Sequence, residues 1–186
     1  SMFDRALRGD LGEKTQKERN RFALKSPFGA GLSGPIGALH PLQDKDADDV
    51  DTSKYQDPVA NAKALKSLSY FLGADITGIC EIPRYAWYSH KGDGSEIVPY
   101  HKYAVIMQID QGYETMEGAS GDDWISGSQS MRAYLRGAEI AGVMAKHLRS
   151  TGFSSTPQTN TNSEVLQLPL SLLAGLGEMS RIGELV

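Results

Sequence analysis

The chain has 186 residues, of which 40% are hydrophobic and 23% charged, enough apolar material for one core. Its 19 Lys and Arg residues against 23 Asp and Glu residues give a net charge of −4, which argues against a nucleic-acid-binding surface. The single cysteine, Cys80, excludes an intrachain disulfide, a cysteine-based zinc site and an iron–sulfur cluster ligated by this chain alone. No apolar run reaches the roughly 20 residues of a membrane-spanning helix, so we expect no membrane contact and a cytoplasmic location.

The sequence predicts an irregular N-terminal segment over residues 1–56. Residues 1–25 are charged with scattered apolar positions, and they have room for a short helix. Residues 26–52 are rich in Gly, Pro and Asp, which interrupt any helical or strand period. The acidic run at 44–49 lacks the correctly placed Gly and Glu of an EF-hand, so it predicts a solvated loop.

The first regular helix is predicted to begin after Asp57, with Asp as the N-cap and Pro58 at the first helical position. Apolar residues recur along it at three- and four-residue steps, and Gly73 is the predicted stop. Residues 75–82 and 102–110 predict two strands, the second so continuously apolar that we expect it to be buried on both faces. A helix followed closely by a strand favours an α/β layered fold.

The second half of the chain is dominated by one long helix, predicted over residues 126–150. Residues 153–159 predict a short third strand or an extended edge. Ser163 is a candidate N-cap for a helix over residues 165–173, which Pro169 is expected to kink or split. The chain then ends among glycines without a closing element, and this predicts an incomplete domain.

Motifs for common chemistry are missing from the sequence. It has no phosphate-binding loop, no dinucleotide fingerprint after a strand, no nucleophile elbow and no HExxH zinc motif. The histidines occupy unrelated settings, which predicts no metal site: His40, His90, His101 and His147. Cys80 lies in a predicted strand, where a cysteine is more often a small core residue than a nucleophile.

Several segments carry a resemblance to a known family. They are Tyr70–Asp75, Gly78–Ile79, Tyr134 near the start of the long helix, and residues 147–153, 160–169 and 174–183. The last is the most specific, because its Ala-Gly-Leu-Gly-Glu run is followed at the family's spacing by Arg and Gly. From about residue 70 onward, the chain resembles the corrinoid-binding catalytic region of the reductive dehalogenases and, more distantly, epoxyqueuosine reductase. The first 70 residues carry none of this resemblance.

The resemblance implies a nitroreductase-like layered sheet with covering helices, which holds base-off cobalamin within residues 57–186. Reduced cobalt is expected to engage an organohalide, with a halogenated aromatic as the substrate class. Tyr134 matches the family's proton-donating tyrosine, a role that a phenol takes when it lies within hydrogen-bond reach. The alternative is that Tyr134 only packs on the apolar side of its helix.

The resemblance also assigns residues to the substrate and the cofactor. Asn160 is assigned to the substrate side and Asn162 to the cofactor, although both also fit turn residues that precede a helix cap. The other cofactor-binding candidates are Ser163, Leu166, Gly175 and Leu176. A set of aromatic residues either shapes an apolar substrate pocket or belongs to the core or an interface: Tyr85, Trp87, Tyr88 and Trp124.

Members of this family also carry two [4Fe–4S] clusters, and this sequence has no ligands for them. It also lacks the downstream basic residue that the family uses to lower the tyrosine pKa. We therefore expect a region truncated at its C-terminus, which depends on clusters and an electron donor outside it. Two alternatives remain: a non-catalytic cobalamin-binding module, and a tRNA-modifying reductase like the epoxyqueuosine enzyme, which the acidic charge disfavours.

Overall fold

The computed structural model describes residues 2–19, 26–39, 45–121, 123–160 and 162–186. Its regular elements in chain order are α1 (Met2–Arg8), α2 (Glu13–Arg19), α3 (Pro27–Ala38), α4 (Pro58–Phe71), β1 (Ile76–Glu81), β2 (Tyr103–Gln108), α5 (Tyr113–Glu117), α6 (Ile125–Ser150) and α7 (Gln167–Leu173). Two short 3₁₀ turns lie at Ser53–Tyr55 and Arg84–Ala86. His40 and part of the acidic 44–49 run lie outside the described residues.

The two predicted strands are confirmed, and they pair with each other antiparallel. The register runs from Ile76 opposite Gln108 to Glu81 opposite Tyr103. Successive side chains of a strand point to opposite faces, so β2 contributes to two separate cores. The result is a layered arrangement of helices on both faces of a small sheet, which confirms the predicted α/β class.

One face of the sheet packs against α7 and the connection between the strands. Cys80, Ala104 and Ile106 contact a buried cluster that includes Trp87 and Leu170. The opposite face packs against α4 and α6 through a second cluster, whose members include Ala74, Ile140, Met144, Leu65, Leu68, Val105 and Met107. The expectation that β2 is buried on both faces is wrong: Tyr103 is 58% exposed and the rest of the strand is half-buried. Helix α7 has seven residues and covers only part of its face.

Helix α4 begins and ends as the sequence predicts. The Asp57 carboxylate accepts hydrogen bonds from the backbone N–H groups of Val59 at 2.9 Å and Ala60 at 3.1 Å. Gly73 follows the helix with φ +97°, a conformation that only glycine adopts at little cost. The Arg136 guanidinium of α6 donates to the Gly73 carbonyl at 2.7 Å, and this bond joins the α4–β1 turn to the long helix.

The prediction of irregular structure across the N-terminal glycines is wrong, because Pro27–Ala38 forms helix α3. Ser26 caps it by accepting from the Gly29 N–H at 3.2 Å, and Pro27 occupies the first turn. Helix α3 packs against α6, and its Ile36 is fully buried. Tertiary packing therefore outweighs the low helix propensity of glycine here.

Two predictions around α7 also need correction. Of the two alternatives predicted for residues 153–159, the strand is wrong, because these described residues form none, and the extended edge stays a prediction. Ser163 does not cap α7: its hydroxyl bonds locally to Val165, and Val165 pairs with Trp87 before α7 begins at Gln167. Because the helix starts two residues later than predicted, Pro169 falls in its first turn. It removes no helical hydrogen bond there, because the N–H groups of the first turn have no acceptor within the helix.

Candidate functional site

The predicted cofactor-binding residues lie at the two ends of α7. Asn162, Ser163 and Leu166 precede the helix, while Gly175 and Leu176 follow it. Seven helical residues at 1.5 Å each give a separation of about 10 Å between the two groups. The structure therefore brings these candidates to one short helix that lies on the sheet.

The turn after α7 is seated directly on β1. A Cβ built on Gly78 would lie 2.8 Å from the Ala174 Cβ, from the Ala174 carbonyl and from the Leu176 Cδ2, so only glycine permits this approach. The Gln108 amide donates to the Leu176 carbonyl at 3.1 Å and holds the turn against β2. Gly175 has φ +71° and is exposed, with nothing within 4 Å of an added Cβ. The side of the turn away from the sheet is therefore open.

The segment before α7 is fastened to the connection between the strands. The Leu166 N–H donates to the Ala86 carbonyl at 2.7 Å, and the Tyr88 N–H donates to the Glu164 carbonyl at 3.0 Å. Asn160 is exposed, whereas Asn162 and Ser163 are half-buried. Backbone pairing thus fixes this segment immediately after the candidate residues.

A buried acid, which no sequence pattern singles out, lies in the same segment. Glu164 is 5% exposed, and its carboxylate lies 2.7 Å from the Lys91 Nζ. The same carboxylate accepts a short hydrogen bond from the Tyr100 hydroxyl, and the Lys45 Nζ lies 4.0 Å from the centre of the Tyr100 ring. The Gln158 side chain accepts from the Glu164 N–H at 2.7 Å.

The pKa values in this cluster follow from its burial and charges. Burial favours the neutral form of Glu164, but hydrogen bonds from Lys91 and Tyr100 and the nearby lysine charges outweigh it, so its pKa is lowered. Burial, followed by the hydrogen bond to Glu164, raises the pKa of Tyr100 to about 12. The cluster is therefore an ionised carboxylate held by a cation and a protonated phenol.

The aromatic candidates for a substrate pocket occupy different settings. Trp87 is buried against Tyr100, with ring centroids 5.0 Å apart, and its indole N–H has no hydrogen-bond partner among the described residues. Tyr88 is half-buried beside the same core. Tyr85 is 66% exposed and borders an open cleft of about 310 Å³ together with Cys80, Lys102 and Leu173. Trp124 lies before α6 and packs edge-on against Phe28.

Tyr134 lies on α6, the helix that packs on the opposite face of the sheet from α7. Its side chain is 42% exposed, whereas its helical neighbours Met131 and Ala138 are 5% and 4% exposed. Tyr134 is thus partly open to solvent. Tyr134 and the residues around α7 belong to different elements.

Other potentially reactive groups are accounted for by packing. The Cys80 thiol donates to the Leu170 carbonyl at 3.5 Å, and burial raises its pKa, which keeps it protonated. His101 lies 3.1 Å from the Thr156 hydroxyl, and burial together with the Lys45 charge lowers its pKa.

Across the described ranges, no three His, Cys, Asp or Glu side chains converge as a metal site. None of the helices described here is long and apolar enough to cross a membrane.

Comparison with solved structures relates this chain to the reductive dehalogenases. A catabolic reductive dehalogenase, NpRdhA, in complex with 3-bromo-4-hydroxybenzoic acid is 53% identical with a TM-score of 0.91, over 98% of this chain and 27% of that chain. A reductive dehalogenase whose structure suggests a mechanism for B12-dependent dehalogenation is 51% identical with a TM-score of 0.90, over the same shares. Comparison with models of protein families and with curated proteins finds no match.

These matches confirm the predicted resemblance, and the chain is related to the reductive dehalogenases in both sequence and fold. It spans about a quarter of the length of the solved relatives. The expectation that the resemblance begins near residue 70 is wrong, because the match covers 98% of the chain and so includes most of the N-terminal part. The more distant similarity to epoxyqueuosine reductase stays a prediction.

Proposed function

We propose that this chain is the corrinoid-binding part of a reductive dehalogenase, which removes halide from an organohalide at reduced cobalamin. The observation that carries the proposal is the 51–53% identity, over 98% of the chain, to reductive dehalogenases that include one described for B12-dependent dehalogenation. The iron–sulfur clusters and the electron donor that the reaction needs are proposed to lie outside this chain, as the single cysteine requires.

The residues around α7 fit a large, flat, amide-fringed cofactor. Gly175 leaves the outer side of its turn open, so that backbone groups can approach a ligand closely. Leu166 and Leu176 are half-buried apolar side chains on either side of α7, and Asn162 and Ser163 add polar groups at one end. We propose that these five residues hold cobalamin in its base-off form, against a sheet that is nitroreductase-like in the whole protein.

Reductive dehalogenation replaces a carbon–halogen bond with a carbon–hydrogen bond, which consumes two electrons and one proton and releases halide. When bound, reduced cobalamin supplies the electrons that break the carbon–halogen bond. The chain's own contribution is the proton, which we assign to the Tyr134 hydroxyl because this side chain is accessible and matches the family's tyrosine. Asn160, which is exposed in the segment before α7, is assigned to orientation of the substrate.

We propose a halogenated aromatic compound as the substrate class. The support is that one relative, 53% identical to this chain, is in complex with 3-bromo-4-hydroxybenzoic acid. Tyr85 and Trp124 are exposed aromatic rings of the kind that pack against an arene.

We further propose that the chain divides between residues 56 and 57 into an N-terminal segment and the corrinoid-binding region. We also propose a cytoplasmic location.

The proposal is tested by titration of cobalamin into the purified protein and measurement of the absorbance change that accompanies loss of the lower base. Saturable conversion to the base-off spectrum is the expected result. Lack of binding at any cobalamin concentration would contradict both dehalogenation and the alternative of a non-catalytic cobalamin module. Halide release from a brominated hydroxybenzoate by the full-length protein, supplied with a reductant, separates these two functions.

A further inference from the structure

Gln158 and Glu164 enclose the short segment that contains Asn160, Asn162 and Ser163. The Gln158 Oε1 accepts from the Glu164 N–H at 2.7 Å, so a side chain at the start of the segment bonds to the backbone at its end. The two residues are six positions apart, and the bond closes the segment into a loop. Closure by a side chain restricts the backbone conformations that the enclosed residues can adopt.

The far end of this loop is fixed by a second set of contacts. Glu164 is 5% exposed and pairs with Lys91 at 2.7 Å, while its carboxylate accepts from the Tyr100 hydroxyl. Lys91 and Tyr100 both belong to the connection between β1 and β2. The loop is thus held between that connection and Gln158.

The Gln158 side chain also takes part in the acid cluster. Its Nε2 donates to the Tyr100 hydroxyl at 3.5 Å while its Oε1 accepts from Glu164. A single amide therefore bonds to the phenol and to the backbone of the residue that the phenol contacts. Such a two-sided bond fixes the amide orientation more strongly than either contact would alone.

We propose that Gln158 and Glu164 are positioning residues, which hold Asn160, Asn162 and Ser163 in the conformation that meets cobalamin and substrate. This role rests on the proposed function, because it acts through residues that the proposal assigns to the ligands. Neither Gln158 nor Glu164 is required to touch the cofactor.

The test is Gln158→Met in the full-length protein, which keeps the length of the side chain and removes both the acceptor and the donor. We expect faster hydrogen exchange at the Asn162 and Ser163 amides and an affinity for cobalamin that is about fivefold to tenfold weaker, within the range that the loss of these hydrogen bonds supports. The exchange of the Ile140 amide in the α6 core should stay within error, and the free energy of unfolding should fall by no more than the about 1–3 kcal/mol that an unsatisfied buried N–H costs. Gln167→Met, at an exposed position on α7, is the matched control and should change none of these quantities.

The measurements separate failure of this inference from failure of the proposed function. Unchanged exchange in Gln158→Met overturns the closure of the loop, whatever the affinity. Faster exchange with unchanged cobalamin affinity overturns the positioning role and leaves the proposed function intact. A lower unfolding midpoint with uniformly faster exchange assigns Gln158 to general stability and also overturns the role. Absence of cobalamin binding by the unmodified protein overturns the proposed function itself.

Discussion

Gly78 of β1 lies in direct contact with Ala174, the residue that follows α7. A Cβ added at Gly78 would lie 2.8 Å from both the Cβ and the carbonyl oxygen of Ala174. The close approach of sheet and turn sets the position of Gly175 and Leu176, two of the proposed cofactor-binding residues. Because Gly78 has no side chain, the turn after α7 can pack directly on β1. This contact determines where one end of the proposed site lies.

Gly78→Ala is expected to lower the free energy of unfolding by about 1–3 kcal/mol, because the added methyl group overlaps a backbone carbonyl that cannot move independently. Chemical denaturation measures the change. Gly31→Ala is the control: Gly31 lies in α3 with nothing within 4 Å of an added Cβ, so the variant should be about 0.5–1 kcal/mol more stable. Equal stability of the two variants would contradict the packing of the turn on β1.

Gly152, which follows α6, is expected to tolerate an added side chain poorly. It has φ +86°, and an added Cβ would lie 2.5 Å from the Thr52 Cγ2. Gly121 has the similar φ of +88° but open space around it, so it reports the backbone cost alone, about 1–2 kcal/mol. Gly152→Ala should therefore lose about 1–3 kcal/mol more than Gly121→Ala in thermal or chemical unfolding. Similar losses in both variants would show that residues 50–52 do not pack on this turn.

Elements that form through local interactions could be predicted from the sequence. Elements that depend on contacts between residues far apart in the chain could not. Helix α4 and both strands follow from local patterns, namely an Asp–Pro start, a helical apolar period and two apolar runs. Helix α3 was not predicted, because its glycines favour irregular structure and outweigh its Ser26–Pro27 start, whereas its packing against α6 is not visible in the local sequence. The late start of α7 has the same origin: pairing of Val165 with Trp87 replaces the first helical turn.

The same division applies to the candidate site. The resemblance to the family supplied Tyr134, Asn160 and the residues around α7, and their roles stay predictions. Glu164 lies 64 positions from Tyr100 and still further along the chain from Lys91, and no local pattern marks Glu164 as a buried acid. Such a cluster becomes visible only when the fold brings Lys91, Tyr100 and Glu164 together.

Tyr100 is expected to ionise at an unusually high pH. Burial and the hydrogen bond to Glu164 favour the neutral phenol and raise its pKa to about 12, against about 10 for a free tyrosine. The stabilisation of the folded state is therefore complete below the unfolded value and is lost as the pH rises through the folded value. Phenolate absorbance of the protein, minus that of Tyr100→Phe, should show one tyrosine that ionises near this pH. An ordinary titration in the difference spectrum would contradict the contact with Glu164.

The ionised Glu164 carboxylate is expected to increase the free energy of unfolding at neutral pH and to lose this effect in acid. Its folded pKa is lowered, so its stabilisation is present above the unfolded value of about 4.3 and is lost as the pH falls through the folded value. Glu164→Gln should be less stable at neutral pH by about 1.5–3 kcal/mol, the value of hydrogen bonds to a charged group. It should also lose less stability than the unmodified protein below about pH 4. Glu96→Gln, at an exposed acid, is the control, and identical acid profiles for all three proteins would contradict the role of Glu164.

Tyr134→Phe tests the assignment of the proton donor. The change removes one hydroxyl from a side chain that is 42% exposed, so the unfolding midpoint and the cobalamin affinity should be unchanged. Halide release by the full-length protein should fall by about 10²–10⁴-fold, the usual contribution of a positioned general acid. Tyr113→Phe, at a tyrosine that is 74% exposed on α5, is the matched control and should release halide at the unmodified rate. Turnover retained in Tyr134→Phe would remove this residue from the mechanism, because a side chain that only packs on α6 loses little when its hydroxyl is removed.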